Sequence, residues 1–95
     1  MITILSFYKI QKLKKLKSLK KLLFKKVSYL SIKGLIILSP EGINGTLAGQ
    51  KKSILKMKNI LKRQFNFVKF DSSNYSTSKF QPFHQAKVKI KKNMT

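Results

Sequence analysis

Cysteine is absent from this 95-residue chain, which excludes disulfides, thiolate zinc sites and a thiol nucleophile. Carboxylates are almost as scarce, Glu41 and Asp71 being the only two acidic residues. Two isolated carboxylates are not a general acid/base pair, and with the single His84 they give no spaced set of ligands. No metal and no cofactor is therefore assigned. No apolar run approaches the roughly 18 residues needed to span a bilayer. The N-terminus has no basic stretch ahead of its apolar residues and does not read as a secretory leader. The expectation is a cytoplasmic protein.

Lysine is present in excess. Lys and Arg together number 22 against the 2 acids, a formal charge of +20, and Arg63 is the sole arginine. Biased composition explains Lys over Arg, but it does not explain the missing Asp and Glu. So positive a chain repels itself and attracts polyanions. Nucleic acid is the leading partner class; an acidic membrane surface, or composition without function, is the other reading. An ammonium neutralises phosphate well but reads bases poorly beside a guanidinium, so binding is expected to follow the backbone. At this length the chain makes one small domain, able to bury only somewhat more than ~60% of its unfolded surface.

Apolar periodicity sets the element order. Residues 2–10 are β-branched and aromatic without clean alternation, as in a central strand covered on both faces. Over 12–30, Leu13, Leu16, Leu19, Leu23, Val27 and Leu30 recur at helical spacing among lysines. Leu35–Leu38 forms an apolar strand, and Ile43, Leu47 and Ala48 belong to a second. A helix over 50–65 carries the stripe Ile54, Met57, Leu61 and Phe65. Phe67–Phe70 reads as a strand, the Ser- and Asn-rich stretch 71–81 as a loop, and Phe83–Lys91 as the last strand. The order β-α-β-β-α-β-β predicts an α+β, ferredoxin-like or acylphosphatase-like sandwich: an antiparallel sheet with two helices on one face.

Between the second and third strands lies the least biased segment of the chain, Pro40, Glu41, Gly42, Ile43, Asn44 and Gly45. Pro40 presets φ for a turn, and Gly42 and Gly45 permit positive φ. Closure at Pro40-Glu41-Gly42 is favoured over Asn44-Gly45, because it leaves a third strand of useful length. The turn could present N–H groups to an anion, although a structural hairpin is the more economical reading and Glu41 opposes the anion.

Other chemistries are weighed against the same residues. Acylphosphatase activity needs an arginine after the first strand, and Arg63 lies late in the second helix. His84 falls in the inward register of the last strand and reads as a structural or edge histidine rather than a catalytic one. Base stacking on the third strand lacks aromatics; Phe7 and Tyr8 on the first strand could stack a base or simply pack in the core. What remains is electrostatic. Lys87, Lys89 and Lys91 share one face of a strand at ~6.6 Å intervals, with Lys92 following, and can track a phosphate backbone; a solvated strand face is the alternative.

Three segments carry a resemblance. Ser39-Pro40-Glu41-Gly42-Ile43-Asn44-Gly45-Thr46-Leu47-Ala48-Gly49 resembles the signature of the N-terminal domain of the rhodanese-related tRNA uridine hydroxylases. Pro82-Phe83-His84-Gln85-Ala86-Lys87-Val88-Lys89-Ile90-Lys91-Lys92 is similar to that family's Lys-rich segment, and Phe7-Tyr8-Lys9 to its first strand. The matches fall in family order across nearly the whole chain. After Lys92 the family continues with an acidic residue and an apolar run, where this sequence has Asn93-Met94-Thr95. The resemblance implies a family of oxygen-dependent hydroxylases of the wobble uridine in tRNA, whose essential cysteine lies in a following rhodanese-like domain. Residues 1–95 correspond to the N-terminal domain alone, so no catalysis is expected from them. They read as a detached or truncated tRNA-gripping domain, with tRNA and a separately encoded rhodanese-like domain as partners. The alternative is a cationic amphipathic protein whose residues 12–30 bind anionic lipid.

Overall fold

The computed structural model describes residues 1–92. Its elements are β1 (Ile2–Ile10), α1 (Leu16–Tyr29), β2 (Lys33–Ser39), β3 (Gly42–Gly49), α2 (Lys51–Phe65), β4 (Ser72–Ser78) and β5 (Ala86–Ile90). The strands form one sheet in the order β4-β1-β3-β2-β5. Within it β1 runs antiparallel to β3 and β4, and β2 antiparallel to β3. The predicted α+β sandwich is the fold adopted.

Alternation divides the sheet into two faces. Leu5 and Phe7 of β1, Ile36 and Leu38 of β2, Ile43 and Leu47 of β3, and Val88 of β5 point to one side and are buried. They join Leu23 and Val27 of α1 and Ile54, Met57, Leu61 and Phe65 of α2 in a single apolar core. The two leucine and isoleucine stripes thus do what their spacing predicted. Only this face of β1 is covered by helices. On the other, Ile2 and Ile4 are half-buried while Tyr8 and Ile10 are exposed, so the expectation of two covered faces fails.

Helix α1 begins at Leu16, four residues after the start of the 12–30 span. Two carbonyls of the β2–β3 hairpin tip hold the preceding segment: Gln11 N–H donates to Glu41 O (2.9 Å) and Leu13 N–H to Pro40 O (3.1 Å). Lys15 takes a left-handed backbone at φ 54°. Lys12, Lys14 and Lys15 would also crowd the positive end of the helix dipole, with no acid in the first turn to offset them. Leu13 still reaches the core, but from the connection.

The C-terminal third departs most from expectation. Phe67–Phe70 is not a strand. Phe70 is buried against Phe7, the ring centroids 5.0 Å apart, and Phe67 stacks obliquely on Phe70 at the same distance. The strand lies instead in the polar stretch read as loop, where Ser72–Ser78 pairs with Tyr8 back to Ile2. An edge strand pairs on one side only, and this one covers little of the core, so hydroxyl and amide side chains suffice.

The sheet is mixed rather than wholly antiparallel, because β5 lies parallel to β2. Chain direction dictates this. β4 ends beside Ile2 at one edge, and β5 starts beside Gly34 at the other edge of the same sheet end. The connection spans four interstrand gaps, roughly 19 Å, with eight Cα steps whose full reach is roughly 26–29 Å. It therefore crosses with little slack, and the returning strand must oppose β4. The Gln81 amide donates to Ala48 O (3.1 Å) and fixes the crossing. Because β5 begins only at Ala86, His84 sits exposed in a bend before it and not in the strand's inward register. The Asn93-Met94-Thr95 departure lies outside the described residues.

Candidate nucleic-acid interface

The sequence motif at 40–45 resolves into a hairpin tip and the start of β3. Pro40 and Glu41 form its two-residue tip, and Ser39 pairs with Gly42. The Ser39 hydroxyl, fully buried, accepts the Glu41 N–H at 3.1 Å. Gly42 opens β3 at φ 154°, where a Cβ would fall on the Lys9 carbonyl oxygen. Asn44 and Gly45 are inside β3. Gly45 faces the core beneath Phe7, whose ring would lie 3.2 Å from a Cβ there. The favoured closure is the one adopted, and the Asn44-Gly45 turn does not form.

Lys87 and Lys89 project from the outward face of β5, beside Leu35 and Ile37 of β2. Lys91 follows the strand, its N–H donating to Leu38 O (2.8 Å) so that the ladder continues one step. Lys87, Lys89, Lys91 and Lys92 are exposed. The alternation of Ala86 and Val88 inward with Lys87 and Lys89 outward follows the expected register, and Ile90 is left 38% exposed at the strand end. Among the described residues these lysines pair with no carboxylate.

The two acids are placed elsewhere. Glu41 is at the hairpin tip. Asp71 precedes β4, accepts the Ile10 N–H at 2.6 Å and lies 3.5 Å from the Lys9 ammonium. That backbone hydrogen bond, aided by Lys9 and opposed by partial desolvation, holds its carboxyl below the ordinary value. Among the described residues no three His, Asp or Glu side chains are grouped to hold a metal ion. Arg63 stands in the last turn of α2, not after β1.

Sequence reasoning missed an open groove on the uncovered face of the sheet, of about 480 Å³. Ser6 and Tyr8 of β1, Asn44 and Thr46 of β3 and Ser72 and Asn74 of β4 line it, with Leu35 and Phe83 at its β2 side. The Ser6 and Thr46 hydroxyls share a hydrogen bond of 3.2 Å. Cross-strand register puts Leu35 of the groove directly beside Lys87. A signal was present: in each of the three strands the two lining polar residues are two positions apart and so share one face. Their convergence becomes visible only with the strand order. Tyr8, 41% exposed, stands on this face, while Phe7 is in the core.

The family described as UPF0176 acylphosphatase like domain matches residues 2–94. The chain belongs to this family. It is 48% identical over 98 residues to the tRNA uridine(34) hydroxylase of Pelagibacter ubique (strain HTCC1062), a match covering 99% of this chain and 31% of the relative. It is 35% identical over 91 residues to the protein of the same name from Wigglesworthia glossinidia brevipalpis, covering 95% and 29%. The UPF0176 domain described here thus spans about a third of the length of these curated relatives. The fold has solved counterparts. The BlrP1 BLUF structure superposes with a TM-score of 0.71 at 17% identity, covering 97% of this chain and 65% of that one. An acylphosphatase from Coxiella burnetii gives 0.59 at 11% identity, covering 95% and 90%.

Proposed function

We propose that this domain grips tRNA by its phosphates on behalf of a wobble-uridine hydroxylase, through Lys87, Lys89, Lys91 and Lys92. The observation that carries the reading is the row of outward lysines along the β5 edge, unpaired with carboxylates among the described residues, in a chain of net charge +20 whose relatives are named tRNA uridine(34) hydroxylases. An edge strand is accessible along its whole length, and its side chains repeat at a spacing a nucleic-acid backbone can follow. Ammonium groups there neutralise phosphates without reading sequence. Hydroxylation itself is assigned to a rhodanese-like domain, on the same chain or a partner.

Salt dependence tests this. If roughly four to six phosphates are engaged, the log–log slope of tRNA affinity against salt is about −3 to −5. Gln at Lys87, Lys89 and Lys91 together flattens the slope by about 2 to 3. The charge-matched control replaces Lys12, Lys14 and Lys15, exposed in the β1–α1 connection. Equal losses from both triples would reduce the effect to bulk charge and remove β5 as a site.

The lipid-binding alternative meets a physical obstacle. The apolar stripe of α1 is already spent on the core, with Leu23 and Val27 buried and Leu16, Leu19 and Leu30 packed against them. Binding a bilayer through it would require opening the domain. Among the described residues no helix is long and apolar enough to cross a membrane.

A further inference from the structure

The clefts along α2 are edged by lysine: Lys51 and Lys58 in one, Lys58, Lys62 and Lys69 in another. The open-face groove differs. None of its lining residues is charged, although lysines flank it. Hydroxyls and amides from three adjacent strands converge on its floor, an exposed tyrosine ring stands within it, and Phe83 of the β4–β5 crossing borders it. Uncharged hydrogen-bonding groups beside aromatic rings suit a nucleobase, which offers a π-face to stack and donors and acceptors along its edge. Phosphates would be served better by the surrounding lysines. Lys87 and Lys89 stand two strands from Thr46 and Asn44 in the same cross-strand rows, roughly 10 Å away.

We propose that this groove takes one unstacked nucleotide of a single-stranded RNA segment. Its base lies against Tyr8, with Asn74, Ser6 and Thr46 at its edge, while the adjoining phosphates run along Lys87 and Lys89. The site rests on the phosphate-gripping reading given above and adds base contact to it. A duplex keeps its bases stacked inside and cannot enter, so the groove discriminates single from double strands where the lysines do not.

The test uses the 95-residue chain, with a single-stranded oligouridylate and an RNA duplex matched in phosphate number, titrated by fluorescence anisotropy. Loss of one stacking partner costs about 5- to 150-fold in affinity. Tyr8→Ala is expected to weaken the single strand by that factor, leave the duplex within about twofold, and leave the salt slope unchanged, since no phosphate contact is lost. Tyr8→Phe keeps the ring and restores single-strand binding, which separates stacking from any folding defect of the alanine variant. Wild-type-like single-strand binding by Tyr8→Ala, or equal losses on both RNAs, overturns the groove while leaving the lysine edge standing. Failure of the wild-type chain to bind either RNA overturns both readings.

Discussion

Replacing Gly42 with alanine tests why the motif at the hairpin has the residues it has. At φ 154° an L side chain is strained, and the new Cβ would meet the Lys9 carbonyl oxygen, an atom of the neighbouring strand's backbone. No side-chain rotation relieves that overlap; β1 and β3 must separate at their Ile10–Gly42 pair. Strain of this kind costs about 1–3 kcal/mol, and forced overpacking about as much again. A total of about 2–6 kcal/mol is a large share of the roughly 5–14 kcal/mol available to a domain of this size. At about 4–8 °C per kcal/mol the thermal midpoint should fall by on the order of 10–50 °C. The control is Gly49→Ala, at the other end of β3. A Cβ there meets the Ile32 side chain at 3.2 Å, a contact with a side chain and not with a neighbouring strand's backbone, and no positive φ is involved. That change should stay within about 1 kcal/mol, since lowered unfolded-state entropy offsets the contact. Far-UV circular dichroism melts of both variants at one moderate salt concentration decide the matter. Similar midpoints for the two would refute the argument that backbone approach, and not ligand binding, explains Gly42.

Further outcomes follow from charge. The midpoint of the wild-type domain should rise between low and moderate salt, as screening over a Debye length of about 10 Å at 0.1 M relieves its self-repulsion; a flat or falling midpoint would contradict this. Asp71 is held below its ordinary carboxyl value in the folded state, so its stabilising contribution is present above the unfolded value, near pH 4, and is lost as pH falls through the folded one. Asp71→Asn should remove that part of the acid-side slope in pH-dependent melts, and an unchanged slope would show that Asp71 does not contribute.

Elements whose residues pack in the core were legible before the structure. The Ile54-Met57-Leu61-Phe65 stripe, the inward-facing strands β2 and β3 and the closure at Pro40-Glu41 all follow from periodicity and turn chemistry. Where hydrogen bonding alone decides, the sequence was mute. Ser72–Ser78 has no apolar period and is a strand only because β1 offers it an edge, while Phe67 and Phe70 resemble a strand but plug the core beside α2. The lysine row was visible as alternation along one strand. The groove was not, because Ser6, Asn44, Thr46 and Asn74 lie on three different strands and meet only through register.

The strand order leaves both sheet edges open to solvent, and they are protected unequally. β5 presents Lys87 and Lys89, so the same edge of a second copy is repelled, as in proteins that guard against strand addition. β4, with the sequence SSNYSTS, carries no charge of its own. Nothing on that strand opposes pairing; the cationic field of the whole molecule keeps copies apart. A polyanion that neutralises the field removes this protection, so mixtures with RNA near charge balance should self-associate, and β4→Lys substitutions such as Ser73→Lys should keep them dispersed.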